Sequence, residues 1–530
     1  MKIAKTFVRF GLCPVLLSVP LGAATCESLA SLKLPKTTIT APQVVAAGAF
    51  VPPGPTPNAA ALAPFKRLPA FCRVQGVIQP SIDSHIEFEV WLPMSGWNRD
   101  YMGVGNGGLA GSIVYSPPPD LSGSVPGMAQ ELAAGFAVSS TDTGHKGGAG
   151  DGGWAPGHPE KIVDYGYRAV HETAEKSKAI IRAYYGSGPR HSYFDSCSNG
   201  GREALMEAQR YPADYDGIIA GAAGMSFGTA AGIIAGLQAM ETDPASYISA
   251  SKLPAIESAA LAACDALDGL KDGLIDDPRK CHFDPATLLC QGAESNTCLT
   301  QPQVAALKKL YAGVRDSKGD QISPGYFPGG ETGLAGWRMY ITGSGPGNGR
   351  YAAAVQFAKY VIFQNPAWDY RSFDVDRDVK IADDTLGHLN ATDPNLKSFQ
   401  SRGGKLILFQ GWSDAAGPPT GTIDYYESVA AKMGRKDAES FTRLYMVPGM
   451  QHCGGGPGPN TFGNAMIAAL QHWVAQGPAP DKILATKYKT DGDTSSGVAR
   501  TRPLCPYPQV ARYQGPGSID DAANFACRMP

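Results

Sequence analysis

Residues 194–205 read FDSCSNGGREAL, and three side chains in that stretch could attack an electrophile: Ser196, Cys197 and Ser198. The stretch falls where an apolar run gives way to helical spacing. A nucleophile elbow belongs at such a junction, because it holds a serine on a strained turn between strand and helix. Close approach of the chain there demands very small residues two positions to either side, as in G-x-S-x-G. Ser198 has Gly200 after it and Ser196 before it. Centring the motif on Ser196 would put Phe194 and Ser198 at the small positions, which the turn cannot hold. Ser198 is therefore the candidate nucleophile, with Ser196 a slightly oversized substitute for the first glycine. The competing use of Ser198 is as the N-cap of the helix that begins NGGREAL.

A serine hydroxyl needs a base to take its proton, and the base needs a third group to orient it. If the fold is the one that carries such elbows, the partners follow in the order acid, then histidine. Asp414 lies at the end of the run KLILFQGWSD, and His452 follows LYMVPGMQ, both at expected strand ends. The remaining histidines fit less well: His171 and His472 sit on predicted helices, and His145, His158 and His191 come too early in the chain. In this arrangement His452 would accept the Ser198 proton as the oxygen attacks an ester carbonyl, while Asp414 fixes the imidazole and stabilises its charged form.

Cys197 immediately precedes Ser198, and Cys453 immediately follows His452. A disulfide between them would tie nucleophile to base across nearly half of the chain. The alternative is Cys197 itself as nucleophile with His452 as base.

The N-terminus bears on that choice. MKIAKTFVRF carries Lys2, Lys5 and Arg9, an apolar run follows from Phe10 to about Leu21, and GAA closes it at Ala24. This is the pattern of a secretory signal peptide, too short in its apolar part for the ~20 residues of a spanning helix. Thr25-Cys26 follows, but no leucine stands three positions before that cysteine, so a lipoprotein is not indicated. Exported thiols end up paired. Of eleven cysteines Cys13 leaves with the leader, and an even number remains, which favours disulfides over a metal cluster and over a free Cys197. Pairing nearest neighbours suggests Cys264 with Cys281, Cys290 with Cys298 and Cys505 with Cys527. That leaves Cys26, Cys72, Cys197 and Cys453.

The elements that must position these groups are legible in outline. IEFEVWLP (86–93) alternates as a half-buried strand does, WNRDYMGVGNGG runs through a second strand into a glycine cluster, and GFAVSSTDTGH (135–145) gives a third. YGYRAVHETAEKSKAIIRAYYG (165–186) reads as a helix ended by Gly186, HSYFDSC as a strand, NGGREALMEAQRYP as a helix stopped by Pro212, and YDGIIAG as a strand. The rhythm then lapses and resumes at GGKLILFQGW (403–412), followed by helix, strand and helix. Strands alternating with helices imply a largely parallel sheet. The expected organisation is a leader at 1–24, an α/β domain in two parts at 25–222 and 397–530, and an inserted domain at 223–396. Net charge is -2 with the signs mixed, so no basic stripe points to nucleic acid. No later segment is apolar and long enough to span a membrane. Asn390-Ala391-Thr392 fits a glycan acceptor, a triplet that also arises by accident in a long chain.

Taken together, SCSNGGREALMEAQRYPADYDGIIAG, FQGWSDAAGPPTGTIDYY and YMVPGMQHCGGGPGP resemble the tannase and feruloyl esterase family, which also includes the hydrolase of mono(2-hydroxyethyl) terephthalate. The resemblance covers essentially the whole mature chain. It implies an α/β-hydrolase fold with a large lid inserted between the nucleophile strand and the acid strand. By position it gives Ser198, Asp414 and His452 the roles of a catalytic triad and Cys197 with Cys453 a triad-linking disulfide. The other bridges it implies are Cys26–Cys72, Cys264–Cys281, Cys290–Cys298 and Cys505–Cys527. This chain departs from the family at Ser196, where Gly is usual.

An ester hydrolase needs donors for the oxyanion, and the residue after the nucleophile supplies one backbone N–H, here that of Asn199. The second comes from an early glycine loop; VGNGGLAG (104–111) occupies that place, and the resemblance supports Gly107 or Gly108 without choosing between them. The segment CDALDGLKDGLIDD (264–277) gathers Asp265, Asp268 and Asp272 in one turn-rich loop. Hard carboxylates at that spacing suit Ca²⁺, though the spacing is not that of an EF-hand and an acidic surface turn would look the same. The resemblance implies a structural calcium held by those three carboxylates and the carbonyls of Leu270 and Leu274. Trp337, Tyr340, Phe357 and Tyr360 in the inserted segment could line an acyl pocket or simply pack in a core.

The expectation is thus an exported serine carboxylic ester hydrolase acting on esters of small aromatic acids such as ferulate, other hydroxycinnamates or gallate. Two rivals stand beside it: a hydrolase of other aryl esters, terephthalate monoesters included, and a secreted binding protein whose elbow has lost activity.

Overall fold

The computed structural model describes residues 24–54, 58–117, 121, 123–333, 335–346 and 352–530. All of the proposed leader except Ala24 lies outside the described residues. A single large sheet carries β1 (Thr37–Ile39), β2 (Gln43–Val45), β3 (Phe71–Ile78), β4 (Ile86–Pro93), β5 (Tyr101–Val104), β6 (Ala137–Thr141), β7 (Ser192–Cys197) and β8 (Gly217–Gly221). It is completed by β11 (Lys405–Gly411) and β12 (Thr442–Val447). Between these come the short antiparallel pair β9 (Val314–Arg315) and β10 (Gln321–Ser323).

The order across the sheet is β1-β3-β4-β6-β5-β7-β8-β11-β12, with β2 also pairing with β3. From β6 through β5, β7, β8 and β11 to β12 every pairing is parallel, whereas β1 to β4 form an antiparallel flank. Parallel strands are buried on both faces, which accounts for the continuous apolar run of KLILFQG and the full burial of GIIAG. One core packs Val74, Phe88, Phe194, Ile218 and Leu408 on one side of the sheet, and a second packs Trp91, Tyr193, Ile219, Phe409 and Trp473 on the other.

Helices α1 (Ala169–Tyr185) and α2 (Asn199–Arg210) flank β7, and α1 ends at Gly186, whose φ of 76° is the left-handed cap that glycine allows. The helix predicted over 165–186 is in fact preceded by a short helix at Pro159–Val163 and a wider π-turn at Asp164–Arg168. That turn fixes where Tyr165 points, with consequences for the site.

The chain from β8 to β11 holds mainly helices, among them α3 (Phe227–Glu241), and has apolar clusters of its own around Trp337 and Phe227. Toward its end Ala391, Leu396 and Phe399 already belong to the core of the large sheet. After β12 come α4 (Gly463–Val474) and two antiparallel pairs that the sequence pattern did not reveal. These are β13 (Ile483–Tyr488) with β14 (Val498–Leu504), and β15 (Val510–Tyr513) with β16 (Phe525–Arg528). Among the described residues no helix is long and apolar enough to cross a membrane.

The ten remaining cysteines form five bridges: Cys26–Cys72, Cys197–Cys453, Cys264–Cys281, Cys290–Cys298 and Cys505–Cys527.

Candidate active site

Ser198 sits at the C-terminal end of β7 with φ 67° and ψ -126°, a conformation that costs a non-glycine residue ~1–3 kcal/mol and persists only where its surroundings enforce it. Its N–H donates to Gly221 O at 2.9 Å, so β8 clamps the turn. Close packing explains the glycines. A Cβ on Gly200 would lie 1.9 Å from Ser196 Oγ, and one on Gly201 would lie 2.3 Å from Gly221 O. Ser196 fits where a smaller residue was expected because Gly105 and Gly200 both face its hydroxyl.

Ser198, His452 and Asp414 form one hydrogen-bonded chain. Ser198 Oγ stands 2.8 Å from His452 Nε2, and His452 Nδ1 stands 2.9 and 3.0 Å from the two Asp414 oxygens. Asp414 is 2% exposed and His452 6%. The carboxylate also accepts from Gln410 Nε2 at 2.8 Å and from the N–H groups of Ala416 at 2.8 Å and Gly417 at 3.1 Å. With four donors fixing it, Asp414 can hold the ring as the Nδ1–H tautomer, leaving Nε2 free to accept a proton from the serine. Tyr340 packs edge-on against the imidazole with centroids 5.0 Å apart. The Cys197–Cys453 bridge lies directly behind this chain, with Cα atoms 6.0 Å apart. Cys197 is therefore occupied, and the reading of it as a nucleophile is closed.

Two cavities meet at Ser198. The smaller, about 160 Å³, is lined mainly by apolar groups, among them Leu109, Tyr165, Met225, Phe227, Phe357 and Leu389. The larger, about 380 Å³, mixes polar groups, among them Thr392, Asp424 and Tyr425, with apolar ones such as Ile322, Pro324 and Pro418, and holds His452 in its wall. Gly108 and Asn199 line the apolar cavity beside Ser198. Among the described residues neither of their N–H groups donates to a backbone carbonyl, as oxyanion donors require. Gly107 does not line the cavity. Gly108 has φ 57°, and a Cβ on it would come within 2.2 Å of Ala149 O, so this position needs glycine.

Of the aromatic residues weighed in the inserted segment, Phe357 reaches the apolar cavity, Tyr340 reaches His452, and Trp337 is packed in that segment's own core. Tyr165, Met225, Phe227 and Leu389 escaped the sequence reading. Met225 and Phe227 are near neighbours in the chain, but Tyr165 and Leu389 come from distant segments, and no spacing links the four.

The acidic loop is stapled by its own amides. Asp265 Oδ1 accepts from the N–H groups of Asp272 and Gly273 at 3.2 Å, Asp268 Oδ1 from Leu270 N–H at 2.9 Å, and Asp272 Oδ1 from Leu274 N–H at 3.2 Å. Arg502 Nη2 meets Asp272 Oδ2 at 2.5 Å, and Arg500 Nη1 lies 3.5 Å from it. Burial and the mutual repulsion of these carboxylates push Asp268 up, and burial followed by the charges of Asp268 and Asp272 pushes Asp276 up to about 7. A hard cation would relieve that repulsion, so the donor chemistry suits calcium. No set of three His, Cys, Asp or Glu side chains among the described residues is gathered closely enough to hold a metal.

A mostly parallel sheet with an acute strand–serine–helix turn at its centre makes this an α/β-hydrolase. The crystal structure of feruloyl esterase B from Aspergillus oryzae superposes with a TM-score of 0.82 at 29% identity, over 95% of this chain and 99% of that one. An uncharacterized esterase of Xanthomonas campestris pv. campestris is 42% identical, over 97% of this chain and 92% of that protein. The mono(2-hydroxyethyl) terephthalate hydrolase of Piscinibacter sakaiensis is 35% identical, over 97% and 93%. Residues 72–528 match the family described as tannase and feruloyl esterase, and the chain belongs to it. Its chemistry is the hydrolysis of carboxylic esters.

Proposed function

We propose that this chain is an exported serine esterase that cleaves esters of small aromatic acids, feruloyl and other hydroxycinnamoyl or galloyl esters, through an acyl-enzyme on Ser198. The observation that carries the reading is the 2.8 Å contact between Ser198 Oγ and His452 Nε2 at the junction of a mainly apolar cavity and a larger one of mixed lining. His452 takes the Ser198 proton as Oγ bonds to the ester carbon, and the carbonyl oxygen becomes an oxyanion facing the N–H groups of Asn199 and Gly108. His452 then protonates the alkoxy oxygen, and the alcohol departs. A water deprotonated by His452 attacks the acyl carbon, and the acid leaves as Ser198 regains its proton.

This sequence of proton transfers assigns the two cavities. The alkoxy oxygen must face the proton donor, so the alcohol belongs in the larger cavity of mixed lining that His452 walls. The carbonyl oxygen must face Gly108 and Asn199, so the acyl chain belongs in the apolar cavity. Arg202 also borders the apolar cavity, where its nitrogens donate to Asn199 Oδ1, Gly166 O and Tyr165 O and keep one further N–H on each Nη, while most of the other walls are apolar. An uncharged aromatic acyl group suits these walls better than one ending in a carboxylate, which burial there would strip of water.

The rival is a terephthalate monoester, favoured by the 35% identity to the Piscinibacter sakaiensis hydrolase. Hydrolysis rates on methyl ferulate, methyl gallate and mono(2-hydroxyethyl) terephthalate decide between them. The reading fails if the terephthalate monoester is turned over fastest, or if Ser198→Ala leaves hydrolysis intact. An intact protein that binds such esters without turnover would instead support the binding-protein rival.

We also propose a structural calcium in the acidic loop, held by the carboxylates of Asp265, Asp268 and Asp272, which the ion would have to draw together and, at Asp272, share with Arg500 and Arg502, and by the carbonyls of Leu270 and Leu274. Bound there, the ion would neutralise the carboxylate cluster and stiffen the loop, remote in sequence from Ser198. Export to the periplasm or medium is supported by the leader pattern and by five disulfides. Retention of the mature chain in the cytoplasm would refute it.

A further inference from the structure

Glu203 lies one turn into α2, only 1% exposed, and the mechanism above makes no use of it. A carboxylate so deep is retained only where several donors hold it. One oxygen, Oε2, accepts the N–H of Asn106 at 2.9 Å, and the other, Oε1, accepts from Asn199 Nδ2 at 2.9 Å. Asn106 is the residue before Gly107-Gly108, and Asn199 is the residue after Ser198. One carboxylate therefore grips both loops that present the oxyanion N–H groups, although they stand 93 positions apart in the sequence.

The directions of these bonds are not interchangeable. Asn106 N–H is backbone and can only donate. The Asn199 amide is fixed by its other end, where Oδ1 accepts from Arg202 Nε at 2.8 Å and from the Tyr165 hydroxyl at 3.0 Å. Its Nδ2 must therefore face Glu203, and position 203 must accept on both sides. The same Tyr165 hydroxyl also reaches Gly108 O at 3.3 Å, a second link between the two loops. Asn106 is anchored in turn by Nδ2 donating to Ser112 O at 2.8 Å and Thr141 O at 2.9 Å. A Cβ on Gly105 would lie 2.6 Å from Glu203 Oε2, so the glycine loop rests directly on the carboxylate.

Resting on the serine-esterase reading, we infer that Glu203 is a positioning residue that sets the separation and aim of the two oxyanion donors. It contacts no reacting atom. Its effect is on the transition state, where the oxygen becomes charged and the N–H directions matter most.

The test uses the full mature chain, a 4-nitrophenyl ester, and phenylboronic acid as a probe whose tetrahedral adduct on Ser198 places an oxygen at the oxyanion site. Glu203→Gln presents a donor to either Asn106 N–H or Asn199 Nδ2. The expected result is a kcat lower by about 10- to 100-fold with KM within about threefold, and a phenylboronate inhibition constant raised in step. Adding Asn199→Asp to Glu203→Gln restores the pattern, because the new amide at position 203 can then accept from the Asn106 N–H and donate to the new carboxylate at position 199. That double variant is expected to recover most of the lost kcat and boronate affinity. If Glu203→Gln does not fold, Asn199→Ala keeps the backbone donor and breaks the grip from the other side, with the same split expected. An unchanged kcat in the single variant, a loss confined to KM, unaltered boronate affinity, or no recovery in the double variant overturns the inference. A wild type that phenylboronate does not inhibit, together with an active Ser198→Ala, overturns the serine reading itself and this inference with it.

Discussion

Replacing Cys197 and Cys453 together by alanine opens a loop of 256 residues while leaving the other four bridges closed, which a reducing agent would not do. Loop-closure entropy for that length corresponds to about 5.5 kcal/mol at 25 °C, slightly above the roughly 2–5 kcal/mol that removing a native disulfide costs, so it is an upper bound. The bridges Cys264–Cys281 and Cys290–Cys298 are nested within this loop but span 17 and 8 residues, too few to change the logarithm noticeably. An unfolding entropy of roughly 2.1 cal/mol/K per residue over some 500 residues converts the loss to a Tm drop of about 5 °C.

The reactive groups should move far less than the stability does. Ser198 N–H is held by Gly221 O at 2.9 Å, Trp412 N–H by Val447 O at 3.0 Å, Ser413 N–H by Met450 O at 3.0 Å, and Cys453 O accepts from Ser124 Oγ. These bonds tie the elbow and the His452 loop to adjacent parallel strands without help from sulfur. The kcat of the folded double variant is therefore expected to fall less than about tenfold, or about 1.4 kcal/mol of barrier. Calorimetry and single-turnover hydrolysis at 25 °C check the two halves separately. A Tm within 1 °C of the parent would refute the entropy argument. A hundredfold loss of kcat in protein that remains folded would show that the bridge positions the groups after all.

Asp414→Asn is expected to lower kcat by ~10⁴ with little change in KM, because Asn accepting the Ala416 and Gly417 N–H groups turns its own NH₂ toward His452 and selects the wrong imidazole tautomer. A loss below tenfold in steady-state kinetics would remove Asp414 from its role. Chelation with EGTA should lower Tm and added Ca²⁺ restore it, with Asp272→Asn blunting both; equal melting curves throughout would dismiss the calcium. Glu131 is buried, and burial pushes its carboxyl from an ordinary value near 4.5 to about 7. The folded chain then holds a proton that the unfolded chain releases, so this group lowers stability as pH rises from about 4.5 to 7 and has no further effect above. The upper bound is roughly 3 kcal/mol. Glu131→Gln should flatten that part of the stability–pH curve in urea titrations, and an unaltered slope would contradict the burial argument.

Much of the site was legible because its groups lie where local rules act. An elbow needs small residues at fixed offsets, so Ser198 could be told from Ser196 by Gly200 alone. Strand ends mark themselves by apolar runs that stop, which led to Asp414 and His452, and an even count of cysteines beyond the expected leader argued against a free Cys197. The fold class followed from the alternation of strand and helix patterns around them. The three-residue strands β1 and β2 and the half-exposed C-terminal pairs β13–β16 carry little signal, whereas β3 alternates buried and half-buried residues over eight positions and was legible in principle. What fills the cleft was hidden for a different reason. Tyr165, Met225, Phe227, Phe357 and Leu389 meet only when the inserted segment closes over the sheet, and an apolar side chain in a cavity wall looks in sequence like one in a core. That Gly108 rather than Gly107 borders the cavity likewise depends on the path of the loop. The grip of Glu203 on two distant loops depends on which atom donates to which, a property of packed neighbours that chain order does not encode. Types of residue and their local offsets thus sufficed to nominate the candidate triad, whereas the cavity walls and bond directions around it arose only from the packing of distant segments.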